Sequence, residues 1–81
     1  MADRTDAERA VDYAATGDII AIITDVISGA RRSEYSVEDR QNCIDRNVAH
    51  LTTVKAMPDW GSEDFTAIDS AISAGNGYTA S

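Results

Sequence analysis

Six branched aliphatic residues, Ile19, Ile20, Ile22, Ile23, Val26 and Ile27, fall within nine consecutive positions. On a helix, at about 100° per residue, they cover an arc of about 160°, wider than the roughly 100° stripe a surface helix uses for its own core. A face that wide must bury its excess on a second helix, another subunit or a partner protein. The apolar spacing extends through Val11, Ala14, Ala15 and Ala30, so helix one is predicted over residues 6–30. Thr5-Asp6-Ala7-Glu8 reads as a capping box at its start. Gly29 suits the left-handed position at its end. Thr16-Gly17-Asp18 is its weak point: a glycine inside a helix costs about 1 kcal/mol relative to alanine, and Thr or Asp could cap a new helix there. A kink or split near Gly17 is therefore left open.

Two further segments carry a helical period. Ser36 as N-cap, with Glu38 and Asp39 in the first turn, opens a helix over residues 37–57, with Ile44, Val48, Leu51 and Val54 or Lys55 on one face and Cys43 beside them. It ends before Pro58 because proline disfavours helical geometry in the residue preceding it. Ser62, Glu63 and Asp64 read as the start of a third helix over 63–74, striped by Phe65, Ile68 and Ile72 and stopped by Gly75-Asn76-Gly77. Residues 78–81 read as a flexible tail, although Tyr78 is apolar enough to fold back on the core. No segment alternates with period two. The expected fold is all-α, a small three-helix bundle in a single domain spanning residues 1–81.

Charge narrows the function classes. Fourteen Asp and Glu stand against seven Lys and Arg, a formal net charge of −7. Residues 1–30 hold six acids and two bases, residues 31–57 four acids and five bases, and residues 58–81 four acids and no base. Direct nucleic-acid binding needs a basic stripe, and none is present. The longest apolar run, Ile19 to Ile23, stops at Thr24-Asp25, and the first nine residues are crowded with charge, so neither a membrane span nor a secretory signal is expected. A lone cysteine, Cys43, excludes an internal disulfide and points to a reducing compartment.

The chemical candidates are thin. His50 lies seven residues after Cys43, about 10 Å along a helix, too far for a nucleophile–base hydrogen bond, and no third or fourth ligand supports a metal site. Glu38-Asp39 and Glu63-Asp64 look like acid–base pairs, but both fall where a first helical turn favours carboxylates. No phosphate loop, nucleophile elbow or zinc-protease motif occurs. Neither an enzyme nor a cofactor is expected. Arg31 and Arg32 beside Tyr35 form the one compact basic spot, read as a solvated helix end. Trp60 in the connector reads as a local plug or as an interface anchor.

The run Asp45-Arg46-Asn47-Val48-Ala49-His50-Leu51, with Met57, Asp59-Trp60, Glu63-Asp64-Phe65 and Ala67 to Gly75, resembles short helical proteins encoded among the structural genes of tailed bacteriophages and prophages. The pattern covers residues 40–78 and consists mainly of helix stripes and caps. That resemblance implies a small virion or assembly protein in a virion or the bacterial cytoplasm: capsid-associated, cement or head-to-tail. Its partners would be itself or other phage structural proteins, with no catalytic residue to carry over. Ile20, Ile23, Ile27 and Trp60 are the expected interface residues. A different expectation is an acidic inhibitor that fills a nucleic-acid-binding site on a basic host protein, using Asp12, Asp18, Asp25, Glu63, Asp64 and Asp69.

Overall fold

A computed structural model describes residues 5–30, 32–58, 60–61 and 63–81. Three helices follow in order, α1 (Asp6–Ser28), α2 (Val37–Lys55) and α3 (Thr66–Asn76), and there is no strand among the described residues. Every pair of helices is in contact, which makes the fold the expected three-helix bundle.

Local chemistry fixes most of the helix ends. At α1 the Thr5 amide donates to Glu8 Oε1 at 2.9 Å and the Glu8 amide to Thr5 Oγ1 at 3.1 Å, a complete capping box. Gly29 takes φ 88°, and its amide and that of Ala30 close onto the Asp25 and Val26 carbonyls. The left-handed turn therefore ends α1 at Ser28, two residues short of the expected end. The helix runs unbroken through Gly17, because Thr16 is buried and its hydroxyl donates back to the Tyr13 carbonyl at 2.6 Å rather than capping a new turn.

Ser36 caps α2, accepting from the Asp39 amide at 3.0 Å. Its far end closes at Lys55, where the Trp60 indole N–H donates to the Val54 carbonyl at 2.9 Å and satisfies one of the terminal acceptors. The third helix begins at Thr66, later than expected. Asp64 Oδ1 captures both the Thr66 amide, at 2.9 Å, and the Thr66 hydroxyl, at 2.6 Å, so residues 63–65 form a turn ahead of the helix. Ser62, expected as its cap, lies outside the described residues, as do Arg31 and Asp59.

The core runs along the shared axis of the bundle: Ile19, Ile23 and Val26 from α1, Ile44 and Leu51 from α2, Ile68 and Ala71 from α3. Gly75 brings α3 so close to α2 that a Cβ there would sit 2.3 Å from Val48 Cγ2. At one end Tyr13, Trp60 and Phe65 pack edge-on or tilted, with ring centroids 5.5–6.5 Å apart, and the Tyr13 hydroxyl donates to the Asp64 carbonyl.

Residues 78–81, expected to be loose, are instead held along α2. Gln41 receives the Ala80 amide at 2.8 Å, and Tyr78 packs against the core. Arg40 is only 6% exposed, and its guanidinium reaches the Tyr35 carbonyl at 3.3 Å and the Ser81 backbone oxygen at 3.1 Å. Arg32 donates to the same Ser81 oxygen at 3.1 Å.

Candidate contact surface

The aliphatic arc of α1 divides by burial. Its centre, Ile19, Ile23 and Val26, belongs to the core, while Ile22 at 42% exposure and Ile27 at 37% remain open to solvent. These two lie about 140° apart on the helix, on opposite edges of the arc. The bundle therefore takes up the middle of the stripe and, at Ile20, part of the margin on the Ile27 side, and leaves the margin at Ile22 open.

This corrects the expected interface. Ile23 is 1% exposed and cannot meet a partner without unfolding. Ile20 is half-buried against the core, and Ile27 alone of the three isoleucines is exposed. Trp60 is half-buried, donates to the Val54 carbonyl and meets Tyr13 and Phe65 in T-shaped contacts, so it plugs that end of the bundle.

Ile22 borders an open seam that the expected residues missed. Along that side α2 presents Cys43 and Asn47, one turn apart, and the Asn47 amide is folded onto the Cys43 carbonyl at 2.7 Å. A thiol and a tethered amide are too small to cover the α1 margin. A hollow of about 380 Å³ results, with Ile22, Asp25 and Val26 on one wall. A second hollow of about 490 Å³ adjoins it on the α2 side, bordered by Asp39, Asn42 and Asp45. Tyr35, Cys43 and Arg46 line both, so the two form one groove between α1, the loop before α2 and α2 itself. Tyr35 is 43% exposed there. Each hollow falls in the range of roughly 300–1,000 Å³ in which proteins hold ligands or a partner's side chains. The signal was present in the sequence as a mismatch: a wide aliphatic edge facing a helix edge of Cys and Asn.

Of the expected acidic surface, Glu63, Asp64 and Asp69 are bonded within the chain. Glu63 accepts from the Gly61 amide at 2.7 Å, and Asp69 pairs with Lys55. Asp64 holds Thr66 by two hydrogen bonds, which set its carboxyl below the usual carboxylate range. The pair Glu63-Asp64 thus shapes a turn and does not occupy the first turn of a helix, contrary to expectation. Asp12 is half-buried, whereas Asp18 and Asp25 are exposed on α1. Among the described residues no group of three or more His, Cys, Asp or Glu side chains is placed to hold a metal ion. Nor is any helix among them long and apolar enough to cross a membrane. Cys43 is a half-buried thiol that accepts from Asn47 Nδ2 at 3.5 Å, and His50 is exposed on the same helix. No family model, curated protein or solved structure matches this chain.

Proposed function

We propose that this protein is a non-enzymatic contact protein of a tailed-phage particle, a capsid-associated, cement or head-to-tail component that works by holding another protein surface. The observation that supports a contact role is the groove beside Ile22, where a large aliphatic side chain and Tyr35 stay exposed although the bundle has a complete core. Exposed apolar side chains grouped at a concavity mark a place of association more often than singly scattered ones do. The particle setting comes from the sequence resemblance alone.

The test is Ile22→Asp, with Ile27→Asp as the opposite-edge control. Particles purified from a host that expresses the chain contain it by mass spectrometry. Ile22→Asp removes it from the particle, while circular dichroism keeps its helical signal. Particles that carry Ile22→Asp at the wild-type amount would sink the groove as the contact surface.

A second reading, an acidic inhibitor seated on a basic host protein, rests on Asp18 and Asp25, exposed two turns apart on α1. Glu63, Asp64 and Asp69 contribute less to it, because they already bond within the chain. Binding to a nucleic-acid-binding protein that nucleic acid displaces and that Ile22→Asp leaves intact supports this reading over the first.

A further inference from the structure

Resting on the contact role proposed above, we infer that the groove receives a segment of another protein with one apolar side chain flanked on both sides by Lys or Arg, and not a second copy of this chain. The lining mixes two kinds of surface. Ile22 and Tyr35 supply exposed apolar area, and the short side chain of Cys43 leaves the space between them and α2 unfilled. Carboxylates stand at the two ends: Asp25 lines only the hollow on the α1 side, and Asp39 and Asp45 line only the other. Among the described residues that line the groove the one cation is Arg46, which borders both hollows. An occupant that suits this layout sets its apolar side chain against Ile22 and Tyr35 and directs a cation to the carboxylates of each hollow. Carboxylates around a concavity concentrate their field in it, which speeds capture of a basic segment and rejects an acidic one.

The chain itself is a poor occupant. It carries a net charge of −7, so a second copy brings like charge to an already acidic rim. Its described bases are also committed. Arg9 pairs with Asp6, Lys55 pairs with Asp69, and Arg32 and Arg40 are bonded to Ser81. Arg46, the remaining described base, is part of the groove.

The experiment is fluorescence anisotropy of the whole chain with a labelled peptide in which a single Phe is flanked by Lys-Arg pairs. The same peptide with Phe→Ala, and one with Glu in place of every Lys and Arg, serve as comparisons. Saturable binding is expected for the first, weaker by about tenfold or more for each of the others. Ile22→Ser should weaken it about tenfold. Asp25→Asn combined with Asp39→Asn should do the same and flatten the salt dependence, as expected when the lost contacts are charge pairs. Asp18→Asn, exposed on α1 but outside the groove, should change binding less than about twofold. Absence of saturable binding overturns the inference. So does indifference to Ile22→Ser, or an equal loss with Asp18→Asn, which would mean attraction to overall charge. Light scattering separates the two levels of failure. A dimer that Ile22→Ser dissociates overturns the basic occupant but leaves the contact role. Failure of peptide binding together with wild-type incorporation of Ile22→Asp into particles removes both.

Discussion

Helix α2 has one closed seam and one open seam. Towards α3, Val48 and Ile44 are met so closely by Gly75 that a single added methyl would have no room. Towards the α1 margin at Ile22, Cys43 and Asn47 leave a groove of several hundred cubic ångströms. Both lie beside the same core and are built from side chains within about a turn of each other. The difference shows that small residues do opposite work by position. In α3 a missing side chain lets two backbones approach; in α2 a short side chain keeps surfaces apart. The first seam holds α3 to α2, and the second is the one proposed above to receive another protein.

The largest effect should come from breaking the closed seam. Gly75→Ala places a carbon 2.3 Å from Val48 Cγ2, and valine is confined to few χ1 rotamers, so α3 must shift. A loss of about 1–3 kcal/mol is expected from overpacking, read as a lower urea midpoint. Adding Val48→Ala should restore part of it, since the clash is with that side chain. On the open side, Cys43→Val should change stability by less than about 1 kcal/mol, because its added carbon meets empty space. If Cys43→Val proves as costly as Gly75→Ala, the groove is filled in solution and the contrast fails.

A smaller effect, of opposite sign, isolates backbone propensity from either seam. Gly17 lies in the middle of α1, and a Cβ there would have nothing within 4 Å. Gly17→Ala should therefore stabilise the fold by up to about 1 kcal/mol, through helix propensity and a less flexible unfolded chain. The measurement is again the urea midpoint, with peptide binding unchanged. A destabilised Gly17→Ala would mean that this outer face of α1 is covered in the free protein.

The same contrast explains what could be read from the sequence. Helix ends decided by neighbours in the chain were legible: Thr5 with Glu8, Ser36 with the Asp39 amide, and Gly29 in its left-handed turn all act over one turn. The start of α3 was less so, because Glu63 and Asp64 read as acids of a first helical turn, whereas Asp64 turns its carboxylate onto the Thr66 amide and hydroxyl and stays outside the helix. Docking of residues 78–81 was legible only at Tyr78, apolar enough to fold back on the core; the rest depends on Gln41 and Arg40, about forty positions away. The site was half legible. The width of the α1 arc announced an uncovered margin. It could not say which margin, because Ile22 and Ile27 are equivalent edges until α2 and α3 take their places. Choosing the edge with Ile20 and Ile23 put the expected interface partly inside the core.

The smallest effect belongs to the joint that leads into α3, where neither seam is involved. Asp64 is fully exposed, and its carboxyl is held below its ordinary range first by the Thr66 hydroxyl and then by the Thr66 amide. A carboxylate with a lowered folded-state pKa adds stability that is present above its unfolded pKa and lost as pH falls through the folded value. The bundle should therefore lose a small part of its stability on acidification below the usual aspartate range, in a step that Asp64→Asn removes. Thr66→Ala should weaken the step without abolishing it, because the amide bond remains after the hydroxyl is gone. Thermal unfolding followed at descending pH for the three proteins decides it. Identical acid profiles for wild type and Asp64→Asn would mean that the turn keeps its shape with the carboxyl protonated, and that the position of α3 is set by its packing on α1 and α2.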